Sequence, residues 1–216
     1  MKSEQYTKEL IDKANKFTSN SDWKNAEETW SELAGLIPDN YAILINLAAT
    51  KNNLGKYKEA RENYLKCDKI TPLSVPVNFG ISSTYFKEKK YKKAEEYTLK
   101  CLKIDKDHLG SLIQYAHILK KEDTKENHQK AINYLARANA LAPKRVDIII
   151  EIAMTLYQIE KVTDAEKVLK GAEKAFPNDK GIKKALSIIY YSSSERKEEA
   201  QKIDEEIDGS IIFGNE

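Results

Sequence analysis

The side chains best able to do chemistry are few, and their spacing does not suit it. His108, His117 and His128 are the only histidines, nine and eleven residues apart. A helix holds zinc through histidines at i and i+4, stacked on one face, and no pair here has that spacing. Cys67 and Cys101 are the only cysteines, 34 residues apart, and cannot form a Cys-x-x-Cys motif. They occupy equivalent positions and are expected to be small buried packing residues in a reducing compartment. The Ser192-Ser193-Ser194 run has no histidine within its own helix pair to take a proton from a nucleophilic hydroxyl. No Gly-x-x-x-x-Gly-Lys phosphate loop occurs. The expectation is a chain that is not an enzyme, with no cofactor and no metal.

Charge points the same way. Charged residues make up 32% of the 216 positions, nearly balanced at a formal net charge of +2. Nucleic-acid binding calls for basic residues gathered on one face. Here lysine and glutamate alternate, as in residues 56–62 (KYKEARE) and 90–96 (KYKKAEE). Glu62/Lys66, Glu96/Lys100 and Glu166/Lys170 stand one helical turn apart, glutamate first, the order that supports a helix on a solvated face. No apolar run approaches the roughly 18 residues of a membrane span. The first residues, MKSEQYTKELIDK, lack the apolar core of a signal peptide. The expectation is a soluble, cytoplasmic protein with no nucleic-acid and no membrane partner.

The elements that carry these residues follow from apolar spacing. In Ile43–Asn53, Leu44, Leu47 and Ala48 share one helical face, and in Tyr57–Ile70 so do Tyr57, Ala60, Tyr64 and Cys67. Gly55 permits the reversal between them and Pro72 ends the second run. Such a helix pair is too small to bury its own stripes. The Tyr57/Ala60 pair recurs as Tyr91/Ala94 34 residues later and as Trp23/Ala26 34 residues earlier. Pro38, Pro72, Pro143 and Pro177 lie 34, 71 and 34 residues apart, so the long gap holds two units, divided near Lys106. A fixed period of this length is the signature of a repeat architecture.

Small, aromatic and proline residues at these offsets resemble the tetratricopeptide repeat. The resemblance implies an all-α, right-handed solenoid of helix–turn–helix units. Five repeats are expected at about 7–40, 41–74, 75–108, 109–145 and 146–179. A degenerate capping pair follows at 180–207, making 1–207 one solenoid domain, with 208–216 as a tail outside the helical pattern. The fourth repeat has 37 residues against 34, and its extra three are expected in the polar turn KKEDTKENHQK. The tail holds an apolar triplet, Ile211-Ile212-Phe213, with a frayed end or a docked segment as its two readings.

In this family the side of each first helix away from its partner lines a concave groove. The resemblance therefore places a peptide- or partner-binding groove on Asn15 of the first repeat and Asn46, Ala49, Asn52 and Asn53 of the second. The third repeat contributes Phe79, Ser83 and Phe86, the fourth Ile113, Gln114 and His117, and the fifth Ile150, Met154 and Tyr157. Phe79, Ile113 and Ile150 have a second reading as packing between adjacent repeats. The carboxylate clamp of some family members needs cations where this chain has Ile11, Pro76 and Gly80, although both clamp asparagines, Asn15 and Asn46, are present. A clamp is not expected, because an ionised terminus would lack charge-assisted donors. The function implied is a non-enzymatic adaptor that binds a protein or peptide, as a monomer or as a weak homo-oligomer through its ends or tail. The alternative is a regulatory or assembly subunit that docks by its convex face or ends.

Overall fold

Local chemistry sets where the helices start and stop. The computed structural model describes residues 2–212, with side chains for 4–209. The helices come in pairs: α1 (Lys2–Ser19) with α2 (Trp23–Leu36), α3 (Tyr41–Asn53) with α4 (Tyr57–Ile70), α5 (Val75–Lys87) with α6 (Tyr91–Ile104). These are followed by α7 (Leu109–Leu119) with α8 (Lys125–Leu141), α9 (Val146–Gln158) with α10 (Val162–Ala175), and α11 (Lys180–Tyr191) with α12 (Lys197–Ile212). Asn40 caps α3 by accepting from the Ile43 amide at 3.2 Å, and Asp179 caps α11 by accepting from that of Ile182 at 3.0 Å. After the second helices, the amides of Ile37, Thr71, Asp105, Ala142 and Phe176 each bond the carbonyl four residues back, at 2.8–3.0 Å. The unit that lacks a proline thus ends as the others do.

Four of the reversals inside the pairs use left-handed backbone. Gly55 supplies it at φ +77, while Ser21, Lys89 and Glu160 adopt it in the equivalent turns at φ +57, +60 and +65. Glycine takes this conformation without the Cβ clash the other three accept.

The chain divides into two compact units, Met1–Gln114 and Tyr115–Glu216. In the first, Leu10, Ala14, Ala26, Trp30, Leu33, Ile43 and Leu47 form one core cluster, drawn from α1, α2 and α3. Leu44, Ala48, Ala60, Tyr64, Cys67, Val77 and Ile81 form the next, drawn from α3, α4 and α5. Each pair therefore completes its core with the first helix of the following pair. Alanine recurs at the closest approaches, with Ala26, Ala60 and Ala94 fully buried at equivalent positions. Cys67 and Cys101 are buried and free. Burial pushes the Cys67 thiol up to about 11 and also raises that of Cys101, so both stay protonated and unreactive at neutral pH.

In the second unit a cluster from Ala153, Leu156, Ala165 and Leu169 runs on through Ile182, Leu186, Ile189 and Tyr190 to Ala200. Arg196, in a short 3-10 turn (Ser194–Arg196), closes this end. Its guanidinium lies 3.6 Å from the Tyr190 ring centroid and pairs with Glu166 at 2.8 Å and Glu199 at 3.0 Å. Arg196 and Lys170 together hold the Glu166 carboxyl down at about 2. Charged side chains also link a second helix to the next repeat's turn in the first unit, as in Glu27–Lys56 and Arg61–Glu88, both at 2.7 Å. Within helices, Glu96–Lys100 and Glu166–Lys170 form as their spacing predicts.

Two expectations are corrected. The fourth repeat's additional residues are helical, not part of a loop. Thr124 accepts from the Asn127 amide at 3.1 Å, so α8 begins early and reaches 17 residues against 14 in α2, α4, α6 and α10. Residues 208–212 are likewise helical, as the last part of α12; Phe213 lies outside the described residues.

Gly80 is the most tightly packed glycine of the first unit. A Cβ built there would stand 2.2 Å from Tyr64 Cζ and 2.4 Å from Cε1. The Tyr64 ring is 4% exposed within a core cluster and would have to shift against its neighbours, so Gly80→Ala should cost about 1–3 kcal/mol in urea denaturation. Part of that loss should return in a Tyr64→Leu background, where the ring is gone. An unchanged denaturation midpoint for Gly80→Ala would contradict this packing.

Candidate functional site

Short side chains along α3 and α5 let these first helices lie side by side. Asn52 donates from Nδ2 to Ser83 Oγ at 3.1 Å, and Lys87 Nζ donates to the Asn52 carbonyl at 3.3 Å and Asn53 Oδ1 at 3.4 Å. Asn46 and Ala49 are half-buried on the same side of α3, Asn53 is exposed at its end, and Asn15 is exposed on α1. Phe86 is half-buried, its ring 5.5 Å from that of Tyr91.

Other residues assigned to this side serve packing between repeats. Asn52 is only 7% exposed and Gln114 8%. Gln114 Nε2 donates to Ser82 Oγ at 2.6 Å, and Ser82 bonds Thr98 Oγ1 and the Ala94 carbonyl, each at 2.7 Å. A buried amide needs such partners, and these fix Gln114 inside the first unit. Phe79 meets His108 edge-on at 5.2 Å, and a Cβ at Gly110 would touch its ring at 3.0 Å. Ile150 does the same in the second unit, its Cδ1 being 3.0 Å from a Cβ built at Gly181. In both cases a bulky side chain on one first helix fits a glycine on the next. Those glycines, second in their helices, were the available sequence signal. Ile113 is half-buried.

In the second unit Glu151 gathers the polar groups. His117 Nε2 lies 2.9 Å from Glu151 Oε2, and Lys120 Nζ donates to Oε1 at 3.0 Å. Burial alone would raise the Glu151 carboxyl, but the hydrogen bonds and charge of His117 and Lys120 outweigh it and hold the group below its usual value. Met154 and Tyr157, farther along α9, are half-buried against the core.

A surface that spacing did not reveal lies on the second helices of the first unit. Leu65, Pro72, Leu73, Tyr97 and Ile104 wall a cavity of about 590 Å³, with Ile81, Asn78, Asp68, Lys100 and Lys103 completing it. Its signal was a leucine in a turn where the other repeats carry polar residues. A smaller cavity of about 360 Å³ lies between Glu4, Tyr6, Thr7, Leu36 and Ile37.

Family models described as tetratricopeptide repeat match residues 41–72, 75–108 and 124–189. The chain belongs to the tetratricopeptide repeat family, whose members generally are non-catalytic and mediate protein–protein interactions. Solved structures agree in fold. A tetratricopeptide repeat protein from Parabacteroides merdae superposes with a TM-score of 0.73 at 19% identity, over 95% of this chain and 80% of that one. Pseudomonas aeruginosa pilF gives 0.75 at 11% identity, over 100% and 96%. YrrB, described as a tetratricopeptide repeat protein with an unusual peptide-binding site, gives 0.63 at 17%, over 88% and 95%. No curated protein matches the sequence. Among the described residues no helix is long and apolar enough to cross a membrane.

The Glu151 cluster carries a pH signature. A carboxyl depressed in the folded state adds stability above its unfolded value, about 4.3, and loses it as pH falls through the lower folded value. Glu151→Gln should therefore destabilise by about 1 kcal/mol at neutral pH, with the gap to wild type closing in acid below about pH 4. Thermal melts across that range check it; a gap that persists unchanged into acid would contradict the assignment.

Proposed function

We propose that the protein is a non-enzymatic adaptor that binds a peptide or protein segment along its first helices. The observation that carries this reading is the row on α3 and α5. There Asn46, Ala49, Asn53 and Phe86 stay at the surface while their neighbours Asn52 and Ser83 lock the helices together. Asparagine side chains offer both a donor and an acceptor to an extended backbone, and the Phe86 ring offers an apolar anchor. In the second unit Met154 and Tyr157 supply the same kind of adaptable and aromatic contact beside the His117–Glu151 pair. A carboxylate clamp is not part of this function. The clamp's cationic positions hold Ile11, Pro76 and Gly80, and the Tyr64 ring fills the space over Gly80.

The alternative is assembly into a larger complex through the second helices, and the apolar cavity beside Leu73 supports it. Paired capture experiments separate the two. With Phe86→Glu and Met154→Glu combined, recovery of a partner bound by the first helices should fall about tenfold, equivalent to about 1.4 kcal/mol. Circular dichroism melts should stay close to wild type, because both side chains are only half-buried. Equal recovery by the folded variant would contradict first-helix binding.

A further inference from the structure

One cation on the first helices has no opposite charge to meet. Lys51 and Lys56 pair with Glu59 and Glu27, both at 2.7 Å. In the second unit Lys120 pairs with Glu151, the sixth residue of α9. The sixth residue of α7 is Gln114, which is uncharged and turned to Ser82. Lys87, at the end of α5, donates to the Asn52 carbonyl at 3.3 Å and to Asn53 Oδ1 at 3.4 Å, and among the described residues it has no carboxylate. Its neighbour Glu88 is taken by Arg61 at 2.7 Å and Lys90 at 3.2 Å. Both acceptors of Lys87 are neutral, and the helix end they belong to holds only partial negative charge.

The side chain is exposed, while the protein around its ammonium displaces part of its water and pushes its pKa below the usual lysine value. Lys56, Lys100, Lys130 and Lys170 go the other way, each raised first by a glutamate that accepts from it. An ammonium has three N–H groups, and two are spent on α3. Asn53 spends its Oδ1 on Lys87 and keeps its Nδ2 hydrogens. What is left here is hydrogen-bond donors and one positive charge. An ionised carboxylate, which only accepts and carries one negative charge, matches both. A phosphate, with nearly two charges at neutral pH, would stay half-neutralised. Phe86, next to Lys87 in the chain, adds a half-buried aromatic ring.

We propose that the segment bound along the first helices carries an aspartate or glutamate whose carboxylate is received by Lys87 and Asn53, with an apolar side chain of the same segment against Phe86. The proposal rests on the first-helix reading and adds to it the kind of residue recognised. A single internal side chain is held by a single lysine, unlike the chain terminus that a clamp of several cations would grip. The ammonium is already fixed by α3, so little side-chain freedom is lost when the carboxylate arrives.

A positional-scanning library of octapeptides, acetylated and amidated so that no terminal charge remains, tests this on the full chain. Wild type should enrich Asp and Glu over Asn and Gln about fivefold at one position, close to a position that selects apolar side chains. For one peptide from that pool, replacing the acid by its amide should weaken wild-type binding about tenfold at low salt in fluorescence anisotropy, and by less as salt rises. Lys87→Met should melt as wild type does, because the side chain is exposed, and should bind the acid and amide peptides alike. Lys87→Arg should keep the preference. Apolar selection without an acidic position, or an acid preference that survives Lys87→Met, would overturn the proposal and leave first-helix binding standing. A library from which wild type enriches nothing would overturn both.

Discussion

The structure depends on helices approaching one another over side chains of almost no volume. Ala26, Ala60 and Ala94 are fully buried at one repeat position, and Ala14 and Ala48 at another. Only there can two backbones come close enough for Trp30, Tyr64 or Leu33 to fill the flanking space. A lone pair of helices would leave the other side of its stripe in water. In the first unit Val77 and Ile81 of α5 complete the core begun by α3 and α4. Nearest-neighbour completion of this kind is what makes the repeat, rather than the chain, the unit of stability.

The same constraint decides which first-helix residues are left for a partner. Where a bulky side chain meets a glycine on the next first helix, as Phe79 meets Gly110 and Ile150 meets Gly181, it becomes packing. Where a carboxamide meets a buried hydroxyl, as Gln114 meets Ser82, it becomes part of a satisfied core network. Asn46, Ala49 and Phe86 stay half-buried and Asn53 exposed. They are the residues from which the proposed binding face is built.

Much of this fold was legible in the sequence because the period is carried by residues with strong steric meaning. Pro38, Pro72, Pro143 and Pro177 mark ends, and Ala60 and Ala94 mark close approaches. Three features were not legible for a physical reason. An insertion has no preferred place until a cap is chosen, and Thr124 caps early, turning a loop into an extra turn of α8. Offsets on a helix give the face a residue is on but not what the neighbouring helix puts opposite. Asn52 and Asn53 are adjacent and both polar, yet one is buried and the other exposed. Leu73 lies in a turn between α4 and α5, and a residue in a turn belongs to no apolar stripe.

The central functional claim is that the first helices, not the second, receive the partner. Hydrogen–deuterium exchange of the full chain, with and without a captured partner, reads this residue by residue. Added protection should appear at amides along α3 and α5 and along α9, with α4 and α6 unchanged. Protection confined to α4, α6 and the turn around Leu73 would contradict the account.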